Sequence, residues 1–246
     1  MSIQAQLDFA LNFGLIVQNI VSDGKLHRVP TIDKPLSKNG YYVSHENGCL
    51  NGNWRTGQEE FFSTKTGKLT AYEWKQINEA KELAQAEKRN AQIKAAVLAR
   101  EMYDKGKSVN THPYLTKKGV SPTELMRVAY NELYIPLYDI SSMQIENIQR
   151  IKANGTKLFL AGGKITGLGF VINKPELKLM FNDGDTIYLA EGVATALTVA
   201  EQSNCFTVAC MNAGNLKPLG IELRKLYPTA NIIVAGDNDY LTALET

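Results

Sequence analysis

Apolar positions recur at helical spacing in two stretches of the first half of the chain and at strand-like spacing in much of the remainder. Ile3, Leu7, Ala10 and Leu11 share one helical face, which predicts a short amphipathic helix over residues 1–13, closed by Gly14. From about Val21 to Ser63 the texture changes. Short apolar or aromatic pieces at Leu26 to Val29, Tyr41 to Ser44, Gly52 to Arg55 and Phe61 to Phe62 are separated by Ser22-Asp23-Gly24, Lys38-Asn39-Gly40 and Glu46-Asn47-Gly48. That punctuation predicts a small antiparallel β unit. Thr70 to Lys105 reads as one long helix, rich in strong helix formers and free of Pro and Gly until Gly106. Its apolar stripe is thin: Ile77, Ala84, Ala91 and Leu98 recur every seven residues. The prediction is a solvated connecting helix with one narrow packed face.

After Gly106 comes a turn-rich segment from Thr111 to Gly119, and Ser121-Pro122 predicts a short helix with Pro at its first position. Candidate strands follow at Leu133 to Tyr138, Ile145 to Ile151, Lys157 to Ala161 and Leu168 to Ile172, punctuated by Gly155, Gly162-Gly163 and Gly167. The last part has a cleaner rhythm. Strands at Thr186 to Ala190, Phe206 to Met211 and Asn231 to Ala235 alternate with helices at Val193 to Gln202 and Leu216 to Leu226. Short links between alternating strands and helices predict βαβ units and a parallel sheet. The fold class is α/β. The expected organisation is a small α+β region (1–69), a long connecting helix (70–106), a mixed β subdomain (107–180) and a parallel α/β part (181–246).

The composition fits that picture. Of 246 residues, 44% are hydrophobic and 21% charged, which excludes wholesale disorder. No apolar run approaches the roughly 20 residues that span a bilayer. The best stretch, Leu7 to Val21, is broken by Asp8, Asn12, Gln18 and Asn19. No basic segment precedes an apolar core at the start, so no secretory signal is expected, and the expected compartment is the cytoplasm. Three cysteines, Cys49, Cys205 and Cys210, make neither a disulfide framework nor a zinc site of familiar spacing. No zinc is expected, and all three read as core or surface residues. Lys plus Arg number 27 against 25 Asp plus Glu, a net of +2, so any nucleic-acid surface must arise from clustering.

In open parallel sheets, ligands gather at the carboxyl ends of the strands. The first of the three late strands ends in Ala190-Glu191-Gly192, the second in Asn212-Ala213-Gly214-Asn215, and the third in Gly236-Asp237-Asn238-Asp239. Residues two apart on an extended segment project to the same side, so Asp237 and Asp239 can offer two carboxylates to one cation. Hard ions such as Mg²⁺ take carboxylates, water and phosphate oxygens. Glu191 would complete the site or act as a general base. Each feature alone is commonly a cap or a turn. Their joint placement at strand ends is the more specific signal.

These segments resemble the TOPRIM domain shared by bacterial-type primases, topoisomerases and some nucleases. The fuller pattern is similar to the primases of phages, plasmids and integrated elements. It comprises Gly52-Asn53-Trp54-Arg55-Thr56-Gly57, His112-Pro113-Tyr114-Leu115 with Lys118-Gly119, Ile135-Pro136-Leu137, Gln149-Arg150-Ile151, Gly155-x-Lys157, Gly162-Gly163, Glu191 to Ala196 and Ala213-Gly214-Asn215-Leu216. The resemblance implies a Rossmann-like parallel sheet and synthesis of short RNA primers on single-stranded DNA for a mobile genetic element. The implied partners are nucleoside triphosphates and a replicative helicase, with no membrane. It assigns Glu191 as acid/base or first metal ligand, and Asp237 and Asp239 as ligands of Mg²⁺ or Mn²⁺.

Arg55, Lys117, Lys118, Lys157 and Lys164 are the candidate nucleic-acid or nucleotide contacts. Lys164 lies beside two glycines, where backbone can approach phosphate. Trp54 and Tyr114 can stack on bases, although packing is the plainer reading for both. A metal-dependent nuclease on the same scaffold and a non-catalytic nucleic-acid-binding or assembly module are the alternatives. The chain stops a few residues past Asp239, whereas the family's domain continues through another helix and strand. The expectation is therefore a truncated core with weak priming.

Overall fold

The computed structural model describes residues 3–46, 48–63, 71–172 and 184–236, and within the long helix the side chains of Glu73, Gln76, Ile77 and Ala84 are not described. The chain divides into two compact units, residues 1–89 and 90–246.

In the first unit, α1 (Ile3–Asn12) precedes four antiparallel strands, β1 (Leu26–Val29), β2 (Gly40–His45), β3 (Gly48–Asn53) and β4 (Glu59–Ser63), in the order β1-β2-β3-β4. Period-two alternation along β2 and β3 feeds two small cores. Tyr42 and Cys49 pack with Ala10, Leu15 and Ile20, while Tyr41, Val43 and Leu50 pack with Trp54, Phe61 and Ala80. Gln6 and Ser44, both buried, hydrogen-bond to each other, and Gln6 Nε2 donates to the His45 carbonyl at 2.9 Å, which fixes α1 to β2. Gly52 lies opposite Tyr41 across the ladder, and a Cβ there would sit 2.1 Å from the Tyr41 ring. The missing side chain is what lets the ring lie flat over β3. Strand β3 begins four residues earlier than the aromatic pieces indicated, because Cys49, Asn51 and the small Gly48 carry it.

The long helix α2 (Ala71–Lys105) matches its expected extent, but its packed face does not follow the seven-residue stripe. Ala91 and Leu98 are exposed. Ala95, Ala96 and Ala99 are the buried positions, and Ala99 packs with Met102, Tyr103, Tyr134 and Ile148. Small residues let the helix approach the sheet closely, an option that a search for large apolar residues overlooks.

The second unit is built on one nine-stranded mixed sheet in the order β13-β11-β12-β10-β7-β6-β5, with β8 and β9 continuing from β7. Its antiparallel part contains β5 (Lys107–Ser108), β6 (Arg127–Ala129), β7 (Glu132–Asp139), β8 (Gln144–Lys152), β9 (Lys157–Phe159) and β10 (Leu168–Val171). The parallel part contains β11 (Thr186–Ala190), β12 (Phe206–Ala209) and β13 (Asn231–Ala235), joined by α4 (Val193–Ser203) and α5 (Leu216–Leu226). Strand β10 is the adaptor: Leu168 and Gly169 pair with β7, and Phe170 and Val171 pair with β12. The sheet is thus continuous from the antiparallel strands into the parallel ones. On α4, Val193, Ala196, Leu197 and Ala200 are buried, the spacing of one helical face.

One local expectation is corrected. The short helix that begins with proline is α3 (Pro113–Lys118), with Pro at its first turn and Gly119 closing it at φ +65, while no helix forms at Ser121-Pro122. Pro113 wins because His112 before it supplies the cap: Nδ1 accepts the Tyr114 N–H at 3.3 Å. A Cβ on Gly163 would lie 2.4 Å from Asn147 Nδ2, so the bare backbone makes room for that side chain.

Asn215 ties the parallel strands to β10. Its Nδ2 donates to the Leu168 carbonyl at 2.7 Å and the Cys210 carbonyl at 2.8 Å, and its Oδ1 accepts the Gly167 N–H at 2.7 Å. Truncating it strands three polar groups in a buried place. Asn215→Ala is expected to destabilise the second unit by about 3 kcal/mol, read as a lower denaturant midpoint at unchanged slope.

Candidate active site

The three parallel strands end side by side. Ala190 pairs with Ala209 of β12 on one side and with Ala235 of β13 on the other. Glu191 therefore leaves the sheet level with Gly236, and Asp237 is the next residue in sequence. Asp237 and Asp239 themselves lie outside the described residues. The Cys210 N–H donates to the Ala190 carbonyl at 2.8 Å, so the β12 exit is tied to the first strand as well. Burial, reinforced by the negative charge of Glu191, pushes the Cys210 thiol up to about 12. Burial alone raises Cys49 to about 12. Both are buried thiols of low reactivity, and Cys49, Cys205 and Cys210 are free.

Glu191 is half-buried and makes no hydrogen bond or ion pair with any described residue. A carboxylate held at a strand end without a partner among the described residues fits a hard cation or a reacting proton. No three His, Cys, Asp or Glu side chains come together as metal ligands among the described residues.

The helix after Glu191 starts in an unusual way. Gly192 is the cap residue of α4 at φ −107, extended backbone that any residue adopts, and it has no side chain with which to cap. The Tyr114 hydroxyl of α3 lies near the Ala194 N–H in the first turn of α4. Tyr114 is buried, so it packs as its loop suggested and offers no face to a base. Burial raises its phenol, and the Lys118 ammonium and the Ala194 N–H partly offset that rise.

Tyr114 also gathers the cations. Lys157 Nζ lies 5.6 Å from the Tyr114 ring centroid, and Lys118 is close enough to act on the hydroxyl. Lys117 and Lys118 are exposed in the last turn of α3, not in an open loop. Lys118, Lys157 and the start of α4, directly after Glu191, thus form one neighbourhood around a buried phenol.

Lys164 and Arg55 have carboxylate partners of their own. Lys164 lies 3.9 Å from Asp139 on a cleft shared with Thr166, Gly167, Glu222 and Lys225. Desolvation raises the Asp139 carboxyl, but the Ser141 hydroxyl, the Ser141 and Ser142 amides and Lys164 together hold it below its ordinary value. Arg55 belongs to the first unit and pairs with Asp33.

The sequence named Tyr114 and Asn215 as motif members without their roles.

Comparison with known proteins gives a consistent answer. The chain is 32% identical over 230 residues to a DNA primase TraC of Escherichia coli, covering 89% of this chain and 21% of that protein. A second Escherichia coli DNA primase TraC is 31% identical over 230 residues, covering 89% of this chain and 16% of that protein. The chain spans about a fifth of the length of the curated relatives it matches. A chain in the structure of bacteriophage T7 lagging-strand DNA polymerase, interacting with primase domains of two gp4 subunits bound to an RNA/DNA hybrid and dTTP, is 17% identical, with 57% of this chain and 72% of that one covered at a TM-score of 0.36. No family model matches the chain. No helix among the described residues is long and apolar enough to cross a membrane. The kinship expected from the motifs is borne out: over nearly nine-tenths of its length, this chain is a homologue of one segment of the DNA primase TraC.

Proposed function

We propose that the chain is the TOPRIM-type catalytic core of a DNA primase that lays down short RNA primers on single-stranded DNA during replication of a mobile element. The observation that carries this reading is the 32% identity to a DNA primase TraC, spread over 230 residues. The adjacent ends of β11 and β13 support it, because they bring Glu191 beside the strand that leads into Asp237 and Asp239.

The reaction is attack of a primer 3′-hydroxyl on the α-phosphate of an incoming ribonucleoside triphosphate, which forms the new phosphodiester bond as the α–β phosphoanhydride bond breaks and pyrophosphate leaves. Glu191, Asp237 and Asp239 would hold Mg²⁺ or Mn²⁺, which when bound neutralises phosphate charge. Lys157 supplies a cation beside that site for the nucleotide phosphates, and Lys117 and Lys118 face the template. Lys164 and Arg55 contribute further positive charge. A replicative helicase is the implied assembly partner.

Labelled ribonucleotide incorporation on single-stranded DNA with Mg²⁺ or Mn²⁺ tests the reading. Short labelled products are expected, and Glu191→Gln should abolish them at unchanged thermal midpoint. Asp237→Asn should weaken Mn²⁺ binding, because it removes a charge and little volume. Degradation of the template without incorporation would instead indicate a nuclease, and binding without either reaction an assembly module. Single-stranded DNA affinity should fall with salt, and Lys117→Ala with Lys118→Ala should flatten the slope of log affinity against log salt by about 1.4. An unchanged slope moves the template path away from α3.

A further inference from the structure

The β6–β7 hairpin carries a residue that neither the turn nor the core explains. Tyr130 and Asn131 form its two-residue loop, at φ +50 and φ +59. Both central residues of such a turn lie in the left-handed region, which Asn and Gly enter readily and a bulky aromatic does not. Tyr130 gains no packing in return, since it is 93% exposed. A tyrosine held in an unfavourable backbone region with its ring in solvent points to contact with a ligand.

The surroundings say which ligand. Tyr130 lines a hollow of about 480 Å³ with Met102, Lys105, Lys107, Val128 and Tyr134. Lys105 ends α2, and Lys107 is fixed opposite Val128 by the β5–β6 ladder. Both lysines are exposed, and neither side chain has an ion-pair or hydrogen-bond partner among the described residues. The acid at the root of the hairpin, Glu132, is instead paired with Arg150 at 3.5 Å. An exposed aromatic face beside two unpaired ammonium groups is the combination that binds single strands, through base stacking and phosphate charge.

The hairpin tip is also joined to the candidate active site. His112 Nδ1 accepts the Tyr114 N–H, which leaves the ring proton on Nε2, 3.5 Å from the Asn131 carbonyl. The loop that holds Tyr130 therefore abuts the start of α3, whose last turn carries Lys117 and Lys118 and whose Tyr114 lies near the start of α4.

We propose that Tyr130, Lys105 and Lys107 form a contact site for single-stranded DNA, with one base stacked on Tyr130 and flanking phosphates on the two lysines. This rests on the primase reading for its ligand but not for its test. Binding of oligo(dT) to the full chain, followed by fluorescence anisotropy, requires no catalysis. Tyr130→Ala should weaken binding roughly tenfold, within the range for loss of one base–aromatic stack, and Tyr130→Trp should retain it. Tyr130→Gly separates contact from structure: glycine suits the turn better, so the thermal midpoint should hold or rise while affinity falls. Lys105→Ala with Lys107→Ala should lower the salt slope by about 1.4. Photocrosslinking with 5-iodouracil-containing oligonucleotide should map to Tyr130. Wild-type affinity in Tyr130→Gly, or crosslinks that map elsewhere, overturns the proposal while leaving primase activity standing. Absence of any oligo(dT) binding overturns it outright. Binding and crosslinking at Tyr130 without nucleotide incorporation would uphold this site and overturn the primase reading.

Discussion

The parallel register that sets Ala190 level with both Ala209 and Ala235 is the constraint on which the rest of the second unit depends. It aligns three strand exits in one row. Glu191 inherits its position from that row, as does the helix that follows it. A parallel ladder has even, slanted bonds and no internal turn to fix its registration, so its order must come from the flanking elements. Here the flanking elements are α4 and α5, whose apolar faces cover the sheet, and the antiparallel strands held alongside through β10.

Buried polar side chains then lock the places where irregular backbone meets the sheet. Asn215 satisfies two carbonyls and one amide at the junction of β10 and β12. Asn147 does the same for the glycine-containing loop, donating to the Lys164 carbonyl at 2.7 Å and accepting the Leu160 N–H at 3.3 Å. His112 caps α3 by accepting the Tyr114 N–H at 3.3 Å. Each removes an unsatisfied backbone group from a low-dielectric setting, so each specifies geometry more than it adds net energy.

Much of this was legible in the sequence, and the reasons differ by element. The strand Thr186–Ala190, the helix Leu216–Leu226 and the strand Asn231–Ala235 were bounded correctly because continuous apolar runs alternated with amphipathic ones between polar links. The packed face of α2 was misread because alanines at 95, 96 and 99 bury by allowing close approach, which hydrophobic periodicity scores weakly. The strands Lys107–Ser108 and Arg127–Ala129 escaped notice because they are short and mostly polar, and pairing alone makes them strands. The candidate site was half legible. Glu191 at a strand end followed from topology, whereas the gathering of Lys118 and Lys157 around Tyr114 depends on tertiary packing that no local pattern encodes.

Strand β10 has a further consequence for the order in which this unit can assemble. The β7–β8 pair closes through a tight turn, Asp139 opposite Gln144, and is cheap in chain entropy. The β11–β13 ladder joins Thr186 to Asn231 and must close a loop that includes two helices and a strand. Such non-local parallel pairing is slow to nucleate. A meander that forms first would present β10 as a ready edge on which β12 docks in antiparallel fashion, and β12 would then seed the slower parallel pairs. The adaptor strand would thus act as a folding template, with the antiparallel half directing the kinetics of the half that bears Glu191.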